Sequence, residues 1–244
     1  MADTNYRSQL DRLETYFDHT AVDAWKSLTS DAPVSRIRET VRAGRTSMQR
    51  ALLFWLLDRG LANQKVLDAG CGTGTLSLAA RRQGAIVTGV DLAAGLIDVA
   101  ERNTPRDLQR QDGSPAHRPE YRAGDCFAPD LGTFDAVVVM DVLIHYELAD
   151  VVEILTGLAA RTRRQIVFTF APSTPLLQAM HLAGKVFPRA DRAPAIKPVN
   201  AERLAAALRA APALADAGWR IGRQRKISSG FYISQAMEIV RTVD

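Results

Sequence analysis

Residues 66–80 read VLDAGCGTGTLSLAA. A short apolar run ends in Asp68, and three glycines follow at Gly70, Gly72 and Gly74 before a helical pattern begins. Strand, glycine turn and helix in that order form the opening unit of a doubly wound α/β sheet, and the turn lies where such sheets bind ligands. The dinucleotide fingerprint G-x-G-x-x-G would need glycine at position 75, where this chain has Thr75; its third glycine comes one place early. Asp68 is also awkward beside a pyrophosphate, because like charges repel in a partly desolvated cleft.

Outward from this turn, strands alternate with helices. KVLDA (65–69) and AIVTGVD (85–91) read as strands, YRAGD (121–125) as a short third, FDAVVVMD (134–141) as a buried fourth and QIVFTFA (165–171) as a fifth. Helices are expected over LIDVAERN (96–103) and LADVVEILTGLAARTR (148–163). This alternation predicts a parallel sheet covered on both faces. The helix AERLAAALRAA (201–211) and two closing strands, WRIGRQRKIS (219–228) and FYISQAMEIV (231–240), complete the chain. Two helices precede the first strand. One spans about 4–18, with Tyr6, Leu10, Leu13 and Phe17 on a stripe; the other spans about 34–59, with Ile37, Val41, Met48, Leu52 and Trp55 inward and Arg36, Arg38, Arg45 and Arg50 mostly outward.

The strand ends supply a ligand site together. Asp91, with Leu92 beside it, closes the second strand, where a carboxylate grips a ribose diol; that feature alone serves NAD and S-adenosylmethionine equally. Asp125 and the backbone of Cys126 end the third strand and suit an adenine edge, and Met140 ends the fourth beside the adenosyl group. Asp68 suits a cationic ligand. S-adenosylmethionine, with an ammonium, a sulfonium and no phosphate, fits Asp68, Gly70, Gly72, Gly74, Asp91 and Asp125 together. Cys71 reads as a small residue whose backbone approaches the cofactor; a thiol activated at a helix N-terminus is the alternative.

Bulk composition narrows the classes further. The 244 residues are 47% hydrophobic and 24% charged, as in an ordinary globular chain. Two cysteines, Cys71 and Cys126, lack metal-ligand spacing, so no metal site is expected and a reducing cytoplasm fits. The polar N-terminus does not read as a signal peptide, and no apolar run approaches a membrane span. The net charge of +4 is dispersed, without the aromatic–basic pattern of an RNA-binding surface, so no nucleic-acid partner is expected.

The acceptor side should follow the fourth strand, at MDVLIHY (140–146). The N/D-P-P-Y turn of many DNA amino-methylases is absent, as are the clustered carboxylates of a catechol-type metal site. His145 can orient or deprotonate an acceptor, or simply bond a strand-end carbonyl. Several stretches beyond the glycine turn are distinctive: YFDHTAVDAW (16–25), VRAGR (41–45), DVLIHY (141–146), FAPSTP (170–175), GKVFPRADRAP (184–194) and SSGFYIS (228–234). On these, the sequence resembles the magnesium-protoporphyrin IX O-methyltransferases of chlorophyll and bacteriochlorophyll synthesis.

The resemblance implies an α/β fold, a seven-stranded Rossmann-like class I methyltransferase sheet with its last strand antiparallel. An N-terminal helical arm would occupy 1–60 and the methyltransferase domain 61–244, with a lid inserted after strand five around 173–197. It implies transfer of a methyl group from S-adenosylmethionine to one propionate of magnesium-protoporphyrin IX. It makes His145 the acceptor-orienting residue and brings Arg42 to the cofactor carboxylate. A flat dicarboxylate macrocycle calls for an apolar pocket rimmed by cations; Phe187 beside Lys185, Arg189, Arg192 and Lys197 offers one, and a solvated charge run is the alternative. Contact with the magnesium chelatase large subunit, and peripheral attachment to the photosynthetic membrane, are further implications. A quinone-ring O-methyltransferase and a non-catalytic tetrapyrrole carrier are the rival readings.

Overall fold

The computed structural model describes residue 13 and residues 36–109, 118–173 and 195–242. Seven strands form one sheet in the order β3-β2-β1-β4-β5-β7-β6. They are β1 (Lys65–Ala69), β2 (Ile86–Asp91), β3 (Glu120–Ala123), β4 (Phe134–Val139), β5 (Thr162–Phe170), β6 (Trp219–Ser229) and β7 (Tyr232–Arg241). The first five run parallel, and β7 pairs antiparallel with both β5 and β6. The chain steps outward from β1 to β3, then returns to place β4 on the other side of β1. This reversal opens a crevice at the carboxyl ends of β1 and β4, the switch point where doubly wound sheets take their ligands.

Side-chain alternation sorts the core into two layers. Val66, Val87, Val138 and Val167 face α1 (Arg36–Leu57), which buries Met48, Leu52, Trp55 and Leu56 against them, and α2 (Thr75–Arg82), which adds Leu76 and Ala80. Their strand neighbours Leu67, Val137, Ile166 and Phe168 face the opposite way, and two helices following α3 (Ala94–Asn103) cover them. These are α4 (Leu148–Ala160) and α5 (Ala201–Ala210), with Leu155, Leu158, Leu204 and Leu208 buried. The period of two along each strand thus commits successive residues to different helices.

Three features depart from the periodicity reading. Ile37, expected inward, is 53% exposed, on the first turn of α1, which lies beside the β6–β7 hairpin. There Ser229 Oγ donates to the Thr40 carbonyl at 3.0 Å. Gly44 packs closely on the same hairpin, where a Cβ would stand 2.5 Å from Tyr232 Cδ1. Arg45, expected outward, turns inward to Asp141. The third departure is β5, which begins at Thr162 although the polar run 162–164 reads as the end of a helix; α4 stops at Ala160, and Thr162 pairs with Phe134 across a β-bulge.

A charged cluster closes the edge of the sheet remote from the crevice. Glu238 on β7 is 1% exposed. It accepts from Arg223 Nε at 2.8 Å and from Gln165 Nε2 at 2.6 Å. Gln165 Nε2 also donates to the Trp55 carbonyl at 3.0 Å, as does Arg223 Nη2 at 3.2 Å, so the cluster satisfies the C-terminal end of α1. Burial pushes the Glu238 carboxyl up, but bonds from the Arg223 side chain and backbone N–H, with the charges of Arg223 and Arg59, hold it below its usual range overall. A carboxyl depressed in the folded state stabilises the fold above its unfolded pKa of about 4.3, and that contribution is lost as pH falls through the lower folded value. Glu238→Gln is expected to cost about 2 kcal/mol at pH 7 and much less at pH 3, measured by urea unfolding at the two pH values.

Candidate active site

The crevice at the ends of β1, β2 and β4 encloses about 770 Å³, counting the part open to solvent. Its floor is the glycine turn. Gly70 and Cys71 donate backbone N–H bonds to the Val90 carbonyl at 2.8 and 3.1 Å, which ties the turn to the end of β2. Gly70, Gly72 and Gly74 all have positive φ, at 76°, 54° and 74°. A Cβ at Gly70 would run into the Val142 side chain and one at Gly74 into the Tyr121 hydroxyl, whereas one at Gly72 would meet nothing within 4 Å. Gly72 is therefore the point where the turn offers bare backbone to the crevice.

Asp91 braces this floor from the side. Its Oδ2 accepts from Gly72 N–H at 2.8 Å and its Oδ1 from Ala93 N–H at 3.0 Å. One carboxylate thus links the β1 turn to the β2 turn and stands on the crevice wall. Leu92, Cys126 and Met140 line the same wall, as do Cys71 and Leu13. Burial, reinforced by nearby carboxylates, pushes the Cys71 and Cys126 thiols well above their usual range. Both are neutral at pH 7, which suits packing and backbone approach rather than an activated nucleophile.

Four expected cofactor residues lie off this wall. Asp68 is buried beneath the turn, where Ser77 Oγ on α2 donates to its Oδ2 at 2.5 Å. Desolvation raises its carboxyl to about 6, partly opposed by the Ser77 bond and aided by the charge of Asp91. Asp68 therefore fixes the start of α2 instead of facing the crevice. Gly74 caps α2 against Tyr121. Asp125 Oδ1 accepts from Phe127 N–H at 2.8 Å and shapes the turn that presents Cys126. Arg42 is half-buried on α1, one helical turn before the arginine that does line the crevice, Arg45.

His145 occupies the short 3₁₀ turn Leu143–His145 beyond β4 and also lines the crevice. It is 9% exposed, and its Nδ1 lies 3.4 Å from the Ala195 carbonyl oxygen. A carbonyl only accepts, so Nδ1 carries the proton and Nε2 the lone pair. Burial lowers the imidazole pKa, with Lys197 acting the same way and the Ala195 carbonyl and Asp141 opposing. The ring is neutral at pH 7.

Residues 195–199 fold back onto this turn. Lys197 N–H donates to the Ile144 carbonyl at 2.8 Å, and Lys197 Nζ lies 3.3 Å from Glu147 Oε1. Val199 N–H donates to the Ala171 carbonyl at 2.8 Å and Ser173 N–H to the Val199 carbonyl at 2.9 Å. Residues 195–197 are thereby held against the turn that carries His145, and Ser173 is tied to Val199. Lys185, Phe187, Arg189 and Arg192 lie outside the described residues.

Sequence reasoning passed over the role of Asp141. Its Oδ2 lies 2.6 Å from Arg45 Nη1, and Tyr232, Thr169 and Ser234 approach Oδ1. Thr169 and Ser234, polar residues inside otherwise apolar strands, were the visible signal. Among the described residues no three His, Cys, Asp or Glu side chains gather as a metal site, and no helix is long and apolar enough to cross a membrane.

Comparison with known proteins bears on this geometry. Residues 139–241, which carry His145, Asp141 and the closing strands, match the family model for the magnesium-protoporphyrin IX methyltransferase C-terminus. Residues 66–165 match the model for a methyltransferase domain. Over 236 residues the chain is 39% identical to the magnesium-protoporphyrin O-methyltransferase of Rhodobacter capsulatus, covering 96% of this chain and 98% of that one. The chain belongs to the magnesium-protoporphyrin O-methyltransferase family. The crystal structure of magnesium protoporphyrin IX methyltransferase from Synechocystis PCC 6803 with bound S-adenosylhomocysteine superposes with a TM-score of 0.79 at 28% identity, over 95% of this chain and 99% of that one. A ubiquinone biosynthesis O-methyltransferase of Psychrobacter arcticus is 35% identical but over only 45% of this chain. The likeness to that relative is partial, whereas the likeness within the family spans the arm, the sheet and the closing strands.

Proposed function

We infer that the protein transfers a methyl group from S-adenosylmethionine to one propionate carboxylate of magnesium-protoporphyrin IX, giving the monomethyl ester. The observation that carries this reading is the end-to-end 39% identity to the Rhodobacter capsulatus enzyme. The crevice fits the cofactor. Gly72 leaves a cradle that a Cβ would enter, Asp91 presents a carboxylate beside it, and Leu92, Cys126 and Met140 supply a slot of apolar and soft side chains. When bound, S-adenosylmethionine supplies an electrophilic methyl on a sulfonium.

The protein's part is alignment and exclusion of water. A propionate is ionised at pH 7, so no strong base is needed. His145, fixed by Ala195, orients the acceptor carboxyl from the β4 side through a proton taken up between its Nε2 and the carboxylate. The insertion anchored by Ser173 and Lys197 is proposed to cover the macrocycle, with Phe187 against its face and Lys185, Arg189 or Arg192 on the propionates. Magnesium arrives inside the substrate. A free metalloporphyrin is photoreactive, which favours direct delivery from the large subunit of the chelatase that precedes this step, with the protein in the cytoplasm and peripheral on the photosynthetic membrane.

The test is turnover with methyl-labelled S-adenosylmethionine, offering magnesium-protoporphyrin, metal-free protoporphyrin and a catechol quinol separately. A monomethyl ester formed predominantly from the magnesium porphyrin is expected. Methylation of the quinol alone would move the protein to the ubiquinone type of acceptor. Porphyrin affinity without transfer would leave a carrier.

A further inference from the structure

Residues 195–197 bring three different groups to the turn beyond β4. The Ala195 carbonyl holds His145 Nδ1, the Ile196 side chain is 41% exposed, and Lys197 N–H donates to the Ile144 carbonyl. Lys197 Nζ lies 3.3 Å from Glu147 Oε1, and Glu147 is the residue before α4, two beyond His145. A histidine, an exposed apolar side chain and a cation therefore gather where two short segments of chain meet.

The ion pair itself is a weak clamp. The Lys197 side chain is 31% exposed and that of Glu147 68%, and a solvated pair of this kind contributes little to stability. The backbone bond from Lys197 to Ile144 already holds the two segments together. A ligand carboxylate can therefore displace Glu147 from Lys197 with little loss, leaving Glu147 to water. Lys197 also acts on the His145 ring, where its charge works against protonation. A carboxylate that neutralises Lys197 removes this opposition, and so favours the proton shared between His145 Nε2 and a second carboxylate of the same ligand. Asp141, the other charged group acting on the ring, favours protonation with or without that ligand. The arrangement suits a dicarboxylate with an apolar body.

We propose that Lys197 binds the propionate that is not methylated, and that this contact ends the reaction at the monomethyl ester. This rests on the acceptor reading given above. Protoporphyrin carries its two propionates side by side on one edge of the macrocycle, so one can meet His145 while its neighbour meets Lys197, with Ile196 against the ring. That leaves the proposed lid cations to the propionate that reacts. In the transfer, a carboxylate oxygen bonds the methyl carbon as the carbon–sulfur bond breaks and its electron pair returns to sulfur; the proton held at His145 goes to water. The product side chain is a neutral ester. A second transfer would require the macrocycle to turn over and present that ester to Lys197. An uncharged ester oxygen does not replace the charge-assisted bond of a carboxylate. The monoester therefore binds best in the orientation that offers its ester, and not its carboxylate, to the methyl donor.

Turnover of the whole protein on two acceptors, magnesium-protoporphyrin and its monomethyl ester, tests this, with monomethyl and dimethyl products separated by chromatography. Lys197→Met is expected to raise KM for the diacid about 10-fold, as for one lost charged hydrogen bond at a partly exposed site. Its kcat should change less than about threefold and S-adenosylhomocysteine affinity less than about twofold, the pattern of lost acceptor binding. For the monoester, kcat/KM should change less than about threefold, so the preference for the diacid falls about 10-fold and dimethyl ester accumulates. Lys197→Arg should restore most of the diacid KM. Glu147→Gln removes the competing carboxylate and should lower the diacid KM about two- to fivefold. If the pair were only a clamp, Glu147→Gln would raise KM as Lys197→Met does, and that result would overturn the proposal. An equal loss for both acceptors would make Lys197 a support of the His145 turn and overturn it too, as would an unchanged Lys197→Met variant. If the unmodified protein left magnesium-protoporphyrin unmethylated, the acceptor reading would fall and this proposal with it; a failed Lys197 comparison in an active protein overturns the proposal alone.

Discussion

His145→Ala is expected to lower kcat about 10³-fold while S-adenosylhomocysteine affinity stays within about twofold. The imidazole stands on the 3₁₀ turn beyond β4, on the part of the crevice wall proposed to take the acceptor, and makes none of the Gly72 and Asp91 hydrogen bonds that tie the two turns. With Nδ1–H donated to the Ala195 carbonyl, Nε2 carries the lone pair and is the nitrogen proposed to meet the acceptor. An ionised carboxylate can bond that nitrogen only through a shared proton. Acceptor binding should therefore take up a proton, and acceptor affinity should weaken as pH rises above neutrality. Two charged groups modulate this site, Asp141 favouring the protonated ring and Lys197 opposing it. Steady-state kinetics across pH 6–9, with calorimetry for the cofactor product, measure both parts. A His145→Ala variant that loses cofactor affinity instead would make the residue a structural support of the β4 turn.

Much of the fold was legible because each layer has its own periodicity. Val66, Val138 and Val167 alternate with Leu67, Val137 and Ile166, and the order of strands and helices then leaves few topologies. The glycine turn was legible for a stronger reason. All three alternating glycines have positive φ, and at Gly70 and Gly74 a Cβ would also strike Val142 or Tyr121. What could not be read was direction. Asp68, Asp91 and Asp125 look equivalent as strand ends, yet Asp91 lines the crevice while Asp68 turns under α2 to Ser77. Arg42 and Arg45 lie on one helix a single turn apart, and the packing of α1, with Gly44 on Tyr232 and Met48, Leu52 and Trp55 on the sheet, leaves Arg45 on the crevice wall. Asp141 was hidden because its role depends on Thr169, Tyr232 and Ser234, which lie at least 28 residues away in sequence. Local pattern carries no information about such meetings; they follow from the register of β5 with β7, where Thr169 faces Ala236.

Asp91→Ala should have the complementary effect to the histidine change, weakening cofactor binding about 100-fold with a much smaller effect on kcat at saturating cofactor. Two losses combine. The carboxylate proposed to grip the ribose hydroxyls disappears, and charged hydrogen bonds of this kind contribute about 1.5–3 kcal/mol. The Gly72 and Ala93 N–H groups also lose their shared acceptor, so the β1 and β2 turns are no longer tied together. The second loss separates this residue from a simple ligand contact. Asp91→Asn keeps one carbonyl oxygen for a backbone N–H and should recover part of the affinity, whereas Asp91→Ala recovers none. Loosening of the glycine turn should also appear without ligand, as faster amide hydrogen exchange at Gly72 and Ala93 in the alanine variant. The acceptor is proposed to bind against the turn beyond β4 and residues 195–199, so acceptor KM should move little. If Asp91→Ala bound S-adenosylhomocysteine as tightly as the unmodified protein, the carboxylate would be a brace for the two turns and nothing more, and the ribose would have to be held elsewhere on the wall.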